Sequence, residues 1–308
     1  MKKRNLSVNF ALVFFGILMG CSDGGGAAAV GDTGGDTADT SSADTVSQND
    51  YDTVDTGVET DLSGLTGCGT LFGIPAEQTG LGATQCRPVC DCGGETFAPT
   101  TLSDAALNRL TTMTLLNPPA LQNENPYGSA VPSASPDDAQ VCGVTIGETA
   151  PDTYRLDTFP SADAAIAAGA VVTHFGACGQ CSSLADLAVY MRTTDLTGPV
   201  RQCGIQGMTG GEATNIACLK ALGFTDTCAQ IWYYNTVNTR TVCLETCAVM
   251  LGDNYHLPTG EINACLQCDE DNSGPIFKAV AGRTRRNSGL PSGICRPCET
   301  VRHVTHAY

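Results

Sequence analysis

Cysteine is the residue that most constrains what this 308-residue chain can fold into: it has 17, and 16 of them follow residue 67. The 16 are Cys68, Cys86, Cys90, Cys92, Cys142, Cys178, Cys181, Cys203, Cys218, Cys228, Cys243, Cys247, Cys265, Cys268, Cys295 and Cys298. Three C-x-x-C pairs stand among them: Cys178/Cys181, Cys265/Cys268 and Cys295/Cys298. In a reducing compartment such pairs read as metal ligands. Here 26 residues separate Cys268 from Cys295, a longer gap than zinc ribbons use. The even count therefore predicts disulfides, whose connectivity spacing alone does not give. Cys243 and Cys247, four apart in a helical pattern, share a face and should bond to other elements. Cys265 and Cys268 suggest one helix held to two neighbours. Each bridge restricts the unfolded chain and is worth roughly 2–4 kcal/mol.

The N-terminus sets the compartment. Lys2, Lys3 and Arg4 precede an apolar run from Leu6 to Met19, too short to span a membrane comfortably. Leu18-Met19-Gly20-Cys21 resembles the lipobox of bacterial lipoproteins. That resemblance implies cleavage before Cys21 and lipidation of Cys21; Ser22 after it implies outer-membrane sorting, with the membrane as partner through the lipid anchor. Residues 21–66 are mostly Gly, Ala, Asp, Thr and Ser, and bury too little to offset the entropy of ordering. They are expected to form a tether reaching on the order of 40 Å. The expected organisation is a signal peptide over 1–20, a tether over 21–66 and a globular domain over 67–308.

Ten acids and three cations lie in the first 61 residues, which leaves 22 acids against 13 Lys plus Arg, a net of −9. An acidic domain without a basic stripe argues against nucleic acid as partner, and no cofactor is expected.

Along the domain, residues 67–95 read as an irregular disulfide knot. Ser103 caps a short helix over 105–113, and 117–139 reads as an exposed loop. Residues 141–146, 153–159 and 170–175 read as strands, with a small helix over 161–168. Leu184, Leu187, Ala188 and Met191 repeat at helical spacing behind a Ser183/Asp186 capping box. Thr209 with Glu212 predicts the next helix start, and Gly223 its end. Thr225 caps a segment running to about residue 251. Thr259 opens another, broken at residues 272–275 and restarted at Pro275. The fold class predicted is α+β, a small N-terminal sheet followed by a mostly helical C-terminal half.

Four constellations could carry chemistry. His174-Phe-Gly-Ala-Cys-Gly-Gln-Cys181 places a histidine and two cysteines before a helix N-terminus, where a thiol can be acidified. Gly176 to Cys181 resembles the segment around the nucleophile of papain-like cysteine proteases. The resemblance implies Cys181 as nucleophile and Cys178 in a disulfide; apart from it, a convergent thiol site could use His174, on the same approach, as its base. Ser182 replaces the family's aromatic, and the downstream His and Asn-Ser-Trp segments are missing. Arg240 interrupts an apolar helical stripe, and its guanidinium needs Asp269, Glu270, Glu245 or an anionic ligand. Asp269, Asp271 and Ser273 match the start of a calcium loop, but Val280 stands where the closing glutamate belongs. Arg283, Arg285 and Arg286 could clamp a small anion.

Together, H-x-G-x-C-G-x-C-S, N-T-R-x-x-C, C-D-E and G-R-T-R-R-N-S-G-L are similar to an uncharacterised family of secreted cysteine-rich proteins, over roughly residues 150–300. The resemblance implies one fold and no activity. Three functions compete on this reading: a binding or structural surface lipoprotein, a thiol-dependent enzyme using Cys181 and His174, and a metal-dependent protein.

Overall fold

The computed structural model describes residues 68–92, 95–128 and 139–308. The signal-peptide, lipobox and tether readings fall on residues 1–66, outside the described residues. Among the described residues no helix is long and apolar enough to cross a membrane.

The chain opens with β1 (Leu71–Phe72), β2 (Cys86–Arg87), β3 (Cys90–Cys92) and β4 (Glu95–Phe97). Helix α1 (Asp104–Thr112), capped by Ser103, leads to the short β5 (Thr114–Leu115). Strands β6 (Val141–Ile146) and β7 (Thr153–Phe159), helix α2 (Ala162–Ala167) and strand β8 (Val171–Phe175) follow the predicted order. They build a four-stranded sheet ordered β5-β7-β6-β8, in which β6 runs antiparallel to both β7 and β8. Alternation alone does not give this order, because β6 is buried along most of its length.

The rest is helical. Helix α3 (Leu184–Arg192) buries not one stripe but most of its circumference: Leu184, Asp186, Leu187, Ala188, Val189 and Tyr190 are all buried. Leu184 and Leu187 have no exposed surface, and each such burial contributes about 1.5–3 kcal/mol. Helix α4 (Thr197–Ala221) departs from the predicted start at Thr209/Glu212. It already begins at Thr197 and turns sharply at Gly211, whose φ of 77° and ψ of −172° belong to neither helix nor strand. The Cα atoms of Cys203 and Cys218 lie 5.3 Å apart across a disulfide, whereas 15 residues of straight helix would separate them by about 22 Å. The two arms, 197–210 and 212–221, therefore fold back on each other as a hairpin. Gly207 makes the close approach possible, since a Cβ there would sit 2.7 Å from Asn215 Cβ.

Helix α5 (Asp226–Ala248) is capped by Thr225 as predicted; α6 (Ala264–Asn272) is capped by Asn263 rather than opened by Thr259. Helix α7 (Gly274–Ala281) restarts at Ser273 with Pro275 in its first turn, and β9 (Arg296–Pro297) closes the set.

Eight disulfides join these elements. Cys243 and Cys247 bond to Cys268 and Cys265. This corrects the expectation for Cys265 and Cys268: both reach the same neighbour, so α5 and α6 are an antiparallel pair riveted twice. The N-terminal knot is not local either. Cys68 bonds to Cys92, but Cys86 and Cys90 reach Cys295 and Cys298, about 200 residues away. Strand β1 accordingly pairs with β2 on one side and β9 on the other, so the first small sheet is made from both ends of the described chain.

Candidate functional site

The turn between β8 and α3 is where the sequence placed its best chemistry, and the structure builds a dense polar node there. Cys178 bonds to Cys142 on β6, and Cys181 bonds to Cys228 in the first turn of α5. A sulfur in a disulfide is neither a thiolate nor free to attack, so the expected nucleophile at Cys181 is corrected to a structural bridge. Cys181 is also fully buried.

His174 faces a hydroxyl instead. Its Nε2 lies 2.7 Å from Ser182 Oγ and its Nδ1 lies 3.0 Å from Phe175 O. A carbonyl only accepts, so Nδ1 carries the proton; Ser182 Oγ accepts from the Gly179 amide at 2.7 Å and gives its own proton to Nε2. Burial and the neighbouring Arg283 cation push the imidazole well below its ordinary value, which keeps it neutral.

A serine and a histidine at this distance form the first two members of a nucleophile–base relay, but access decides against one. Both are wholly buried. Backbone closes over them: Gln180 N and Cys181 N donate to Val280 O and Ala281 O at the end of α7. A Cβ at Gly282 would come within 2.8 Å of Ser182 Oγ and 2.6 Å of Gly179 N. No substrate carbonyl fits between them.

Asp186 takes the capping role predicted for it and a second one. Ser183 Oγ caps the Asp186 amide and donates to Asp186 Oδ2 at 2.5 Å. Thr225 donates to the same carboxylate through its amide and its hydroxyl, both at 2.8 Å. One carboxylate thus joins the N-termini of α3 and α5. Desolvation raises its pKa to about 6, against the lowering effect of the hydroxyl and amide donors.

The arginine run does not converge on an anion. Arg283 is fully buried and donates to the carbonyls of Thr173, Cys181 and Ser182 and to the hydroxyls of Thr173 and Ser288, at 2.7–3.3 Å. Arg285 turns to the carbonyls of Tyr190, Thr193 and Pro291 and stacks 5.3 Å over the Tyr190 ring. Arg286 pairs with Glu270 at 2.6 Å. Consecutive residues in a tight turn point to different sides, so the predicted clamp is replaced by three separate anchors. The tail completes the node: Tyr308 Oη donates to Thr173 Oγ1, and His306 Nε2 donates to Ser288 O.

The other predicted sites are likewise absorbed. Among the described residues Arg240 forms no ion pair, since Glu270 holds Arg286 and Arg296 and Asp269 accepts from Thr239. Asp269 and Asp271 lie in helix α6 two residues apart, on different faces, and Asp271 is exposed, accepting from Gln267. Ser273 is buried against Asn238 and Thr239. A helix, not a loop, occupies the calcium-like segment. Among the described residues no group of three or more His, Cys, Asp or Glu side chains is arranged to hold a metal ion.

Sequence reasoning missed Ser182, Thr173, Ser288 and His306. Ser182 and Ser288 stand inside quoted motifs, but nothing local assigns them, Thr173 or His306 a shared role; they are brought together from three separate segments.

Residues 212–304 match the model of a family described as "Family of unknown function (DUF8771)". Comparison with curated proteins and with solved structures gave no match. The matched stretch takes in the second arm of α4, helices α5–α7 and Arg283. It leaves out β8, the turn with Ser182, and α3, so the node is completed by segments from outside it.

Proposed function

We propose that this chain is a lipid-anchored extracytoplasmic lipoprotein whose disulfide-rich domain is a non-catalytic binding or structural surface module. The observation that carries this reading is the complete pairing of the domain's 16 cysteines in eight bridges. Such a set is characteristic of oxidising surroundings outside the reducing cytosol. The one thiol–imidazole pair that the sequence offered for catalysis is consumed in it.

The anchor is the part supported by sequence alone: a basic start, an apolar run and Leu18-Met19-Gly20-Cys21. A diacylated cysteine, with a further chain on its amine, binds bilayers stably where one chain does not. The membrane is then the standing partner and the acidic stretch after Cys21 the spacer.

Two measurements test this. Alkylation of the unreduced, full-length protein followed by peptide mass spectrometry should label none of the domain cysteines; label on Cys181 would overturn the non-catalytic reading. In detergent phase partitioning the native protein should enter the detergent phase and Cys21→Ser the aqueous phase. Identical partitioning of the two would remove the anchor.

A further inference from the structure

His256 sits at a point where three segments remote in sequence meet. Residues 254–263 form a small hairpin, with His256 bridged to Ile262 and the Asn263 amide donating to Tyr255 O. Its first strand runs beside residues 78–79: the Tyr255 and His256 amides donate to Gln78 O and Thr79 O at 2.6 and 3.1 Å. Thr79 Oγ1 in turn donates to Gly293 O at 2.7 Å. The imidazole makes the third connection. Nδ1 lies 2.7 Å from Gly260 O and must donate to it, while the amide of Cys295 donates to Nε2 at 3.0 Å. An amide N–H cannot accept, so Nε2 has to present a lone pair, and this geometry exists for the neutral ring alone.

We propose that His256 is an acid-sensitive clasp: a proton on Nε2 turns it from acceptor to donor, expels the Cys295 amide and frees the hairpin 254–263 from residues 292–296.

Among the described residues no free acceptor faces Nε2 of the protonated ring. Desolvation holds the imidazole below its ordinary value against the raising effect of the Gly260 carbonyl, and Arg296, next to Cys295 on β9, adds a smaller opposition to a second positive charge. The acids nearby are engaged or remote. Glu270 of α6 holds Arg296 and Arg286, Asp195 before α4 accepts from Tyr255 Oη at 2.9 Å, and Glu261 is exposed beside Thr259. Protonation also strands the Cys295 amide, because Cys295 is buried. A buried donor facing a donor is a repulsion, whereas the neutral pair is a bond. The Cys86–Cys295 bridge ties residues 292–296 to β2, so what moves is the hairpin, not the tail. For an exported protein, whose surroundings are not buffered as the cytosol is, this links surface shape to external pH.

The test is amide exchange of the full oxidised chain as pH falls from about 7.5 to about 5, corrected for intrinsic rates, beside the NMR titration of the His256 ring. The expected result is a loss of protection of about tenfold or more at Cys295 and across 256–263, tracking ring protonation, while Leu187 in α3 keeps its own. His256→Gln, a neutral side chain with one donor and one acceptor, should lose the pH step. If the ring protonates with Cys295 still protected, stays neutral throughout, or opens together with α3, the clasp is refuted. Persistence of the step in the glutamine variant refutes it as well. Should that variant fail to fold, the wild-type titration and exchange decide the matter alone.

Discussion

Arg283 brings a guanidinium into the interior with no carboxylate bonded to it among the described residues, an arrangement that burial alone would forbid. It is tolerated because five neutral acceptors surround it in the plane that an arginine fork presents. Four of these, the carbonyls of Thr173, Cys181 and Ser182 and the Thr173 hydroxyl, belong to β8 and to the turn after it. Arg283 is therefore a rivet between the helical C-terminal part and the sheet. Arg283→Met keeps the stem but removes every donor, and each stranded buried acceptor is worth about 1–3 kcal/mol. The expected loss is on the order of 3–5 kcal/mol, read as a lower denaturant midpoint with unchanged slope. Arg283→Lys should recover only part of it, since a tetrahedral ammonium cannot reach acceptors spread over one plane.

At the scale of elements, the α4 hairpin shows how a short range of sequence can mislead. A Thr-x-x-Glu box at Thr209–Glu212 is a sound helix-start signal, yet Thr209 ends in the first arm with its hydroxyl donating to Gln206 O, and the second arm starts only after Gly211. The first arm carries Pro, four glycines and no strong periodicity, so its helix is imposed by packing and by the Cys203–Cys218 bridge. Cys203→Ser with Cys218→Ser should cost about 3 kcal/mol, the value for a closed loop of this length. Amide exchange should localise the loss to residues 202–216 and leave α5 and α6 protected, because their own two bridges are separate. A global loss of protection would mean that the hairpin is integral to the core. Gly211 is the other control point: a side chain there has room, yet its backbone region is open to glycine almost alone.

Over the whole molecule, protons are distributed unevenly between folded and unfolded chains. All four histidines, His174, His256, His303 and His306, are held below their ordinary value by burial. His306 stands at about 4 against 6.5 for a free ring, so the unfolded chain takes the proton first. Stability present above pH 6.5 is lost as pH falls toward 4, on the order of 3 kcal/mol for this group. Asp186, raised to about 6, acts in the opposite sense: the folded state takes its proton first, and stability is gained as pH falls from 6 toward 4. Asp269, also raised by burial, adds to that side. Among the described residues the buried rings of His174, His256 and His306 outweigh Asp186 and Asp269, so acid destabilises and the melting temperature should be lower near pH 4.5 than near pH 7.5. In Asp186→Asn the fall over that window should be steeper, because one compensating group is gone; an equal or shallower fall would contradict the assignment.

Much of this was determined by the sequence itself, through interactions a few residues long. The strands at 141–146 and 153–159 follow from β-branched and aromatic runs between turn residues. The starts of α1, α3 and α5 follow from Ser103, Ser183 and Thr225, whose hydroxyls can satisfy an amide three residues on. The paired state of the 16 cysteines after residue 67 follows from their even number and density. Which cysteine meets which was decided by the tertiary structure alone, since spacing cannot say that Cys86 finds Cys295 or that Cys265 and Cys268 share one neighbour. The same holds for the candidate site. His174 and Cys181 were read as partners because they are close along the chain. In the folded protein the imidazole turns to Ser182, the sulfur turns to Cys228, and Arg283 closes the centre from a hundred residues away. A buried polar group must be satisfied by whatever the packing of distant segments brings within about 3 Å, and that is a property of the fold rather than of any local motif.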